Sequence, residues 1–393
     1  MLTILKRAAV VLAAGMMGLM TGCGGGGGGT SSPVTTTTVA GTAAKGILYP
    51  GSISIYAVDA AGVKAATPLK TVLTDTSGQF SADVGVYSGT ILIEATGTYT
   101  DEASGASVVI DTSRPMRAVI DSVSGSVARR FAVTPLTDLA YSLAGTLTAA
   151  NVAAANVRVS GLFKVSDITA IEPVQANAAV LGGATLEQQT YTLALAALSQ
   201  MAKTSSGGAA AAFSQIATLL SSFAADLSLS ATAGLGSGNT AAFAAALATA
   251  TSGSLSGFTS AIANLAGAGM TSLKLTLAIS SPAAGTSIGA VQGTIAFPAG
   301  TSVRVVPGTA GEVVAGLFTT LGAASSSLGS ASFVAPTFTF GVINASGFGA
   351  GDFATVIVDV ASGAPTAASF TVGNVKVVDI NGTTLTGVTV TLK

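Results

Sequence analysis

The residue types that carry most enzyme chemistry are scarce in this chain. It has no histidine, the commonest general base and transition-metal ligand, and its one cysteine is Cys23. A pair of carboxylates can still catalyse glycoside hydrolysis. The acidic residues of the last third of the chain lie beside glycines or at predicted strand ends, and they are Glu312, Asp352, Asp359 and Asp379. We therefore expect structural carboxylates, and we predict no catalytic, cofactor or metal site.

Two short motifs suggest ligand chemistry but lack the full pattern. The run Asp379-Ile380-Asn381-Gly382 has the composition of a calcium loop, without the alternating acidic residues and the closing glutamate of that loop. It is more typical of a hairpin turn. The glycine-rich segment 347–351 precedes no strand–helix unit, as a phosphate-binding loop would.

The first residues have the pattern of an export signal. Lys6 and Arg7 precede an apolar run, residues 8–20, that is too short to span a bilayer. The following segment 19–23, LMTGC, resembles the lipobox of bacterial lipoproteins, with Met20 where that family prefers leucine. An ordinary signal peptide followed by an incidental cysteine is the alternative.

The lipobox resemblance implies removal of residues 1–22 and lipidation of Cys23, with palmitate-type acyl chains that hold the protein in a membrane. Gly24, in place of an aspartate, favours the outer membrane of the cell envelope, on either its surface or its periplasmic face. Residues 23–38 begin with six glycines after the cysteine and include four consecutive threonines. Such a segment has little to bury, so it is predicted to be a tether.

The composition excludes some partners. Charged residues make up 8% of the chain, and the formal net charge is −1. Nucleic-acid binding needs clustered lysine and arginine, so no nucleic-acid partner is expected. The single cysteine excludes an internal disulfide, and the fold must rely on its own hydrophobic cores.

Residues 39–133 are predicted to be a small β-sandwich. Ile53 and Ile55 alternate with polar residues, and Asp75-Thr-Ser-Gly78 is typical of a turn between strands. The segments ISIYAVD, TDTSGQF and ILIEA resemble carboxypeptidase-regulatory-like and collagen-adhesin B-type domains, which are spacers or stalks. Some relatives of that type contain a Lys–Asn or Lys–Asp crosslink. No asparagine lies between Cys23 and Asn151. A carboxylate version with Lys45 and Glu94 stays open, although solvated surface charges are the simpler interpretation.

Residues 134–269 change to helical spacing and predict an alanine-rich bundle. Thr134-Pro135 and Thr148 are helix-start signals, and Thr185 with Gln188 matches a capping box. The segments TPLTDLA and LTAANVAAAN resemble a helical region that follows such a β domain in bacterial lipoproteins, and no activity follows from that resemblance.

Residues 270–393 return to strand patterns and predict a jelly-roll β-sandwich. The segments IGAVQGTIAFPAG, GFGAGDFATV and VVDING resemble cohesin-like modules and related carbohydrate-binding sandwiches. Alternation along 355–360 predicts that Val356, Val358 and Val360 face the core, while Thr355 and Ile357 lie on the surface. The phenylalanines fit strand interiors better than a sugar-stacking platform, and the chain has no tryptophan.

These patterns predict a multidomain α+β protein that is not an enzyme. The expected function is a non-catalytic, lipid-anchored binding or scaffolding protein of the cell envelope. The cohesin-like resemblance implies an extracellular dockerin-like protein partner. Direct polysaccharide binding and an exported hydrolase are the alternatives.

Overall fold

A computed structural model describes residues 36–125, 129–208, 211–228, 234–280, 287–306 and 308–393. The predicted signal peptide, Cys23 and the tether as far as residue 35 lie outside the described residues. The described chain is a multidomain α+β protein with seven α-helices and several β-sheets. Among the described helices, none is both long and apolar enough to cross a membrane.

Two sheets form the first β region, which ends at Val133. One sheet has the strand order β4-β1-β8, and the other has the order β3-β2-β5-β6, with β7 also on β5. Their bounds are β1 Thr38–Ala43, β2 Leu48–Ala57, β3 Lys70–Leu73, β4 Gln79–Asp83, β5 Gly89–Thr100, β6 Ser107–Ile110, β7 Met116–Val123 and β8 Arg129–Val133. Ile53 and Ile55 are fully buried, which confirms the predicted alternation. The turn at Asp75 is also confirmed, because its Oδ1 accepts hydrogen bonds from the N–H groups of Ser77 and Gln79.

The helices follow directly and begin where the sequence predicts. Thr134, Thr148 and Thr185 each cap a helix with their side-chain oxygens, and Thr185 forms the capping box with Gln188. The helices are α1 Pro135–Ala144, α2 Ala149–Leu162, α3 Ala178–Leu181, α4 Leu186–Ser205, α5 Phe213–Ser228, α6 Ser237–Ala250 and α7 Thr259–Leu265. Buried side chains of these helices and of the first β region form one continuous hydrophobic cluster from Val39 to Ala268.

The last region is a β-sandwich with its own core. Its sheets have the orders β13-β14-β10-β16 and β11-β15-β9-β17, with β12 also paired to β15. The strands are β9 Thr271–Ser280, β10 Ile288–Ala296, β11 Thr301–Ser302, β12 Phe318–Thr320, β13 Leu328–Val334, β14 Thr337–Phe348, β15 Gly351–Val360, β16 Thr371–Asp379 and β17 Thr389–Leu392. The core contains the predicted buried phenylalanines, Phe333, Phe338, Phe340, Phe348, Phe353 and Phe370.

An ionic cluster joins the helices to this sandwich. Asp359 of β15 is 1% exposed, and its carboxylate oxygens lie 2.7 Å from Lys164 Nζ and 2.9 Å from Arg304 Nε. Lys164 follows α2 and also donates to the backbone oxygen of Met270. Lys164 therefore bonds both to the connection between α7 and β9, at Met270, and to β15, at Asp359.

Candidate docking face

The four-stranded sheet of the sandwich has one face toward the core and one toward solvent. Along β14, Phe338, Phe340 and Val342 point inward and are buried, whereas Thr337 and Thr339 are exposed. The two-residue period of a strand causes this division. We call the solvent side of β10, β13, β14 and β16 the outer face.

An apolar row crosses the outer face at one end. The strand register places Leu328 of β13 beside Ile343 of β14, then Ala290 of β10, then Val378 of β16. Leu328 is 80% exposed and Ile343 is 61% exposed. Large apolar side chains are costly to expose, so an aligned pair of them is a candidate contact site.

The other rows of the outer face are hydroxyl-rich and nearly uncharged. Lys376 is the single charged side chain among the residues of these rows. The first row is Ser330, Gly341, Gln292 and Lys376; the second is Ser332, Thr339 and Thr294; the third is Val334, Thr337, Ala296 and Thr371. Four strands about 4.8 Å apart and seven residues long give an area of roughly 14 Å by 20 Å. This area is smaller than the roughly 800 Å² that each partner contributes to a standard interface, so a partner must also contact the rim.

The prediction that Thr355 lies on the surface is wrong. Thr355 is 5% exposed, and Ile357 is half-buried. The short strand β12 pairs with this part of β15 and places Thr319 Oγ1 2.8 Å from Thr355 Oγ1. The three valines, Val356, Val358 and Val360, are buried as predicted. The exposed candidates for docking therefore lie on the opposite sheet.

The acidic residues of the sandwich have structural partners rather than a common cleft. Asp352 pairs with Lys393 at 2.6 Å, and Asp379 Oδ1 accepts hydrogen bonds from the N–H groups of Asn381 and Thr383. The predicted turn at Asp379 is confirmed by these bonds. Asp359 lies in the ionic cluster, and Glu312 is exposed. Within the described part of the chain, no group of three or more histidine, cysteine or acidic residues could hold a metal ion.

The suggested pairing of Lys45 with Glu94 is wrong. Glu94 lies 2.9 Å from Lys64, while Lys45, in the connection between β1 and β2, is fully buried. Lys45 Nζ lies 3.3 Å from Asp101 and 2.5 Å from Glu102, and it also contacts Ser199 of α4. The simpler interpretation, a solvated lysine, is wrong as well. No local signal marks this site, because its partners are 56 to 154 residues away in sequence.

A cleft of about 310 Å³ opens beside Glu102, between the β1–β2 connection and the helical region. Leu195 and Ile47 supply apolar walls, and Gln175 and Asn177 supply amides. Both carboxylate oxygens of Glu102 are already engaged, by Lys45, Ser199 and the Gly46 N–H. The cleft therefore offers a ligand little charged chemistry.

Comparison with known proteins gives limited similarity. No protein-family profile matches the chain. No curated protein matches it at a significant level. A solved structure that is similar in part is a non-cellulosomal cohesin from the hyperthermophilic archaeon Archaeoglobus fulgidus, at 12% identity and a TM-score of 0.22. The similarity covers 30% of this chain and 73% of that one.

Proposed function

We propose that this protein is a non-catalytic binding or scaffolding protein of the cell envelope, held by a lipid on Cys23, that docks a protein partner on the outer face. The observation that carries the proposal is the apolar row formed by Leu328, Ile343, Ala290 and Val378, in which Leu328 and Ile343 are exposed and the other two are half-buried. Protein interfaces bury a small apolar centre inside a polar rim, and the hydroxyl rows supply such a rim.

A protein partner fits this face better than a polysaccharide does. Sugar rings bind by stacking on exposed aromatic side chains. The residues assigned to the outer face include none, and the six predicted core phenylalanines of the sandwich are buried. Since Lys376 is the single charge among these rows, we expect binding to change little between low and physiological salt.

The test uses the mature chain, from Cys23 onward, immobilised and exposed to an extract of its native envelope. A partner that is retained is identified by mass spectrometry and then measured with purified components. We expect Leu328→Lys and Ile343→Lys each to weaken its affinity by roughly tenfold or more, because a lysine placed against an apolar surface must be desolvated.

Leu73→Lys is the matched control. Leu73 is 76% exposed on β3 of the first β region, and the substitution is the same. Its affinity should equal that of the parent chain. Equal affinity of all three variants would place the partner elsewhere, and retention of a polysaccharide in place of a protein would contradict the proposal.

A further inference from the structure

We propose a further function for the first β region, which is to bear mechanical load between the membrane anchor and the rest of the chain. The proposal rests on the proposed function in one respect only, which is that the lipid anchor and the docked partner are the source of the load. The resistance itself is a property of strand topology, and it is measurable without lipid or partner.

The first described strand is paired so that a force applied between its amino end and the carboxyl end of β8 acts along the two strands. β1 lies between β4 and β8, and it runs parallel to β8 from the pair Val39–Arg129 to the pair Ala43–Val133. The last of these pairs is closed by the Ala44 N–H, which donates to the Val133 oxygen at 2.9 Å. The predicted tether, residues 23–38, leads into the amino end of β1 and overlaps it at Thr38, while the helices continue from the carboxyl end of β8.

This arrangement loads the ladder in shear. In a parallel pair the two amino ends lie side by side, so pulling β1 backward and β8 forward slides the strands past each other. All the hydrogen bonds between them then carry the force together. Pulling two neighbouring ends apart instead breaks the bonds one after another.

Side chains reinforce the same pair of strands. Glu172 accepts a hydrogen bond from Thr42 Oγ1 of β1 at 2.9 Å, and it pairs with Arg130 Nε of β8 at 2.7 Å. One carboxylate therefore links both strands. Immediately after β1, the buried Lys45 holds the chain to Glu102 and to Ser199 of α4.

Gly41 allows the strands to approach. A Cβ at this position would overlap the backbone oxygen of Phe131 in β8. Gly41→Ala must therefore separate β1 from β8 and weaken the hydrogen bonds between them.

The experiment compares two pulling directions on one protein by single-molecule force measurement. The chain is made without its signal peptide, and the Cys23 thiol is the first attachment point. Ser142→Cys, on the exposed side of α1, provides the second attachment for shear. Val86→Cys provides it for peeling β1 from β4, its other neighbour in the sheet, because Val86 is 75% exposed and follows Gly85, whose oxygen accepts from the Thr37 N–H.

We expect the first unfolding step at a given force to be at least tenfold slower in the shear direction, since forced unfolding depends on the unfolding barrier. Glu172→Ala should shorten the shear lifetime several-fold, and Gly41→Ala should shorten it further. Glu94→Ala is the matched control, because it removes an ion pair of the other sheet, at Lys64, and should leave the lifetime unchanged.

Equal lifetimes in the two directions would overturn the load-bearing proposal. So would a shear lifetime that Glu172→Ala leaves unchanged, and this substitution of a half-buried side chain is expected to preserve the fold. Either result would leave the docking proposal standing, because neither the outer face nor the lipid takes part in the measurement.

Discussion

At the scale of single residues, three buried carboxylate or ammonium groups lie where regions of the chain meet. Lys45 joins the first β region to α4 through Ser199, Asp138 of α1 pairs with Arg117 of β7, and Asp359 of the sandwich pairs with Lys164 after α2. Burying an ion pair gains little free energy, but removing one partner costs about 3–5 kcal/mol. We therefore expect such pairs to favour one relative orientation of the regions that they join, because separating the partners would leave a buried charge unpaired.

Asp138 leads to a prediction about pH. Burial raises the pKa of Asp138 to about 6, against the opposing effect of Arg117. In the unfolded chain its pKa returns to about 3.9, so between these values the folded state binds more protons. The contribution of Asp138 to the free energy of unfolding should therefore fall as pH rises from about 4 to 6 and stay constant above.

The measurement is urea unfolding of the parent chain and of Asp138→Asn at several pH values. We expect the difference, parent minus variant, to decrease by up to about 3 kcal/mol over that range. A difference that stays flat or increases would mean that Arg117 and Arg114, which lies 3.3 Å from the carboxylate, outweigh burial.

Cys23 leads to a prediction about the anchor. Cys23→Ser removes the thiol that would carry the lipid, so the protein should leave the membrane fraction while its far-ultraviolet circular dichroism stays unchanged. The measurement is fractionation together with incorporation of labelled palmitate. Incorporation into the serine variant equal to that of the parent would contradict lipidation at Cys23.

At the scale of elements, the helix starts show that the same capping residue can contribute different amounts of stability, depending on its surroundings. Thr134 and Thr148 are both threonine caps. Thr134 is fully buried, and its hydroxyl also lies 2.6 Å from the Tyr191 hydroxyl of α4. The cap of Thr148 is half-buried and serves α2 alone.

We expect Thr134→Ala to lower the free energy of unfolding by about 2–3 kcal/mol, because a buried tyrosine hydroxyl loses a partner together with the cap. Thr148→Ala, the matched substitution, should cost about 1 kcal/mol. Chemical denaturation of both variants measures the difference. Equal losses would show that the Tyr191 contact contributes nothing.

At the scale of the whole molecule, two hydrophobic clusters organise the described chain. One contains the first β region and the helices, and the other lies in the sandwich and includes Ala263 of α7. The sequence predicts domain boundaries near 133 and 269, and those boundaries stay a prediction. The continuous first core leads us to expect that residues 36–269 unfold together.

Calorimetry of the full chain should therefore show two transitions, one for residues 36–269 and one for the sandwich. Asp359→Asn should lower the transition of the sandwich by several degrees, because Lys164 and Arg304 then share a weakened partner. Exposed Asp352→Asn, which loses the pair with Lys393, is the control and should shift it by less. Three separate transitions would contradict the shared core.

Features that depend on local chemistry could be predicted from neighbouring residues alone. The alternation at Ile53 and Ile55, the turn at Asp75 and the caps at Thr134 and Thr185 are set by residues within a few positions of each other. Absence of histidine and the single cysteine likewise limited the chemistry before any fold was known. The outward direction of alternate side chains in β14 follows from the same period of two.

Which strands and charges meet depends on contacts between distant segments, and these are visible in the three-dimensional structure alone. Thr355 has the alternation of a surface residue, but β12 covers it. From the sequence alone, Lys45 is expected to be a solvated lysine, but Asp101, Glu102 and Ser199 surround it. The parallel pairing of β1 with β8 and the row from Leu328 to Val378 likewise join distant segments. These contacts arise from packing of a common core, whose partners no local period or spacing specifies.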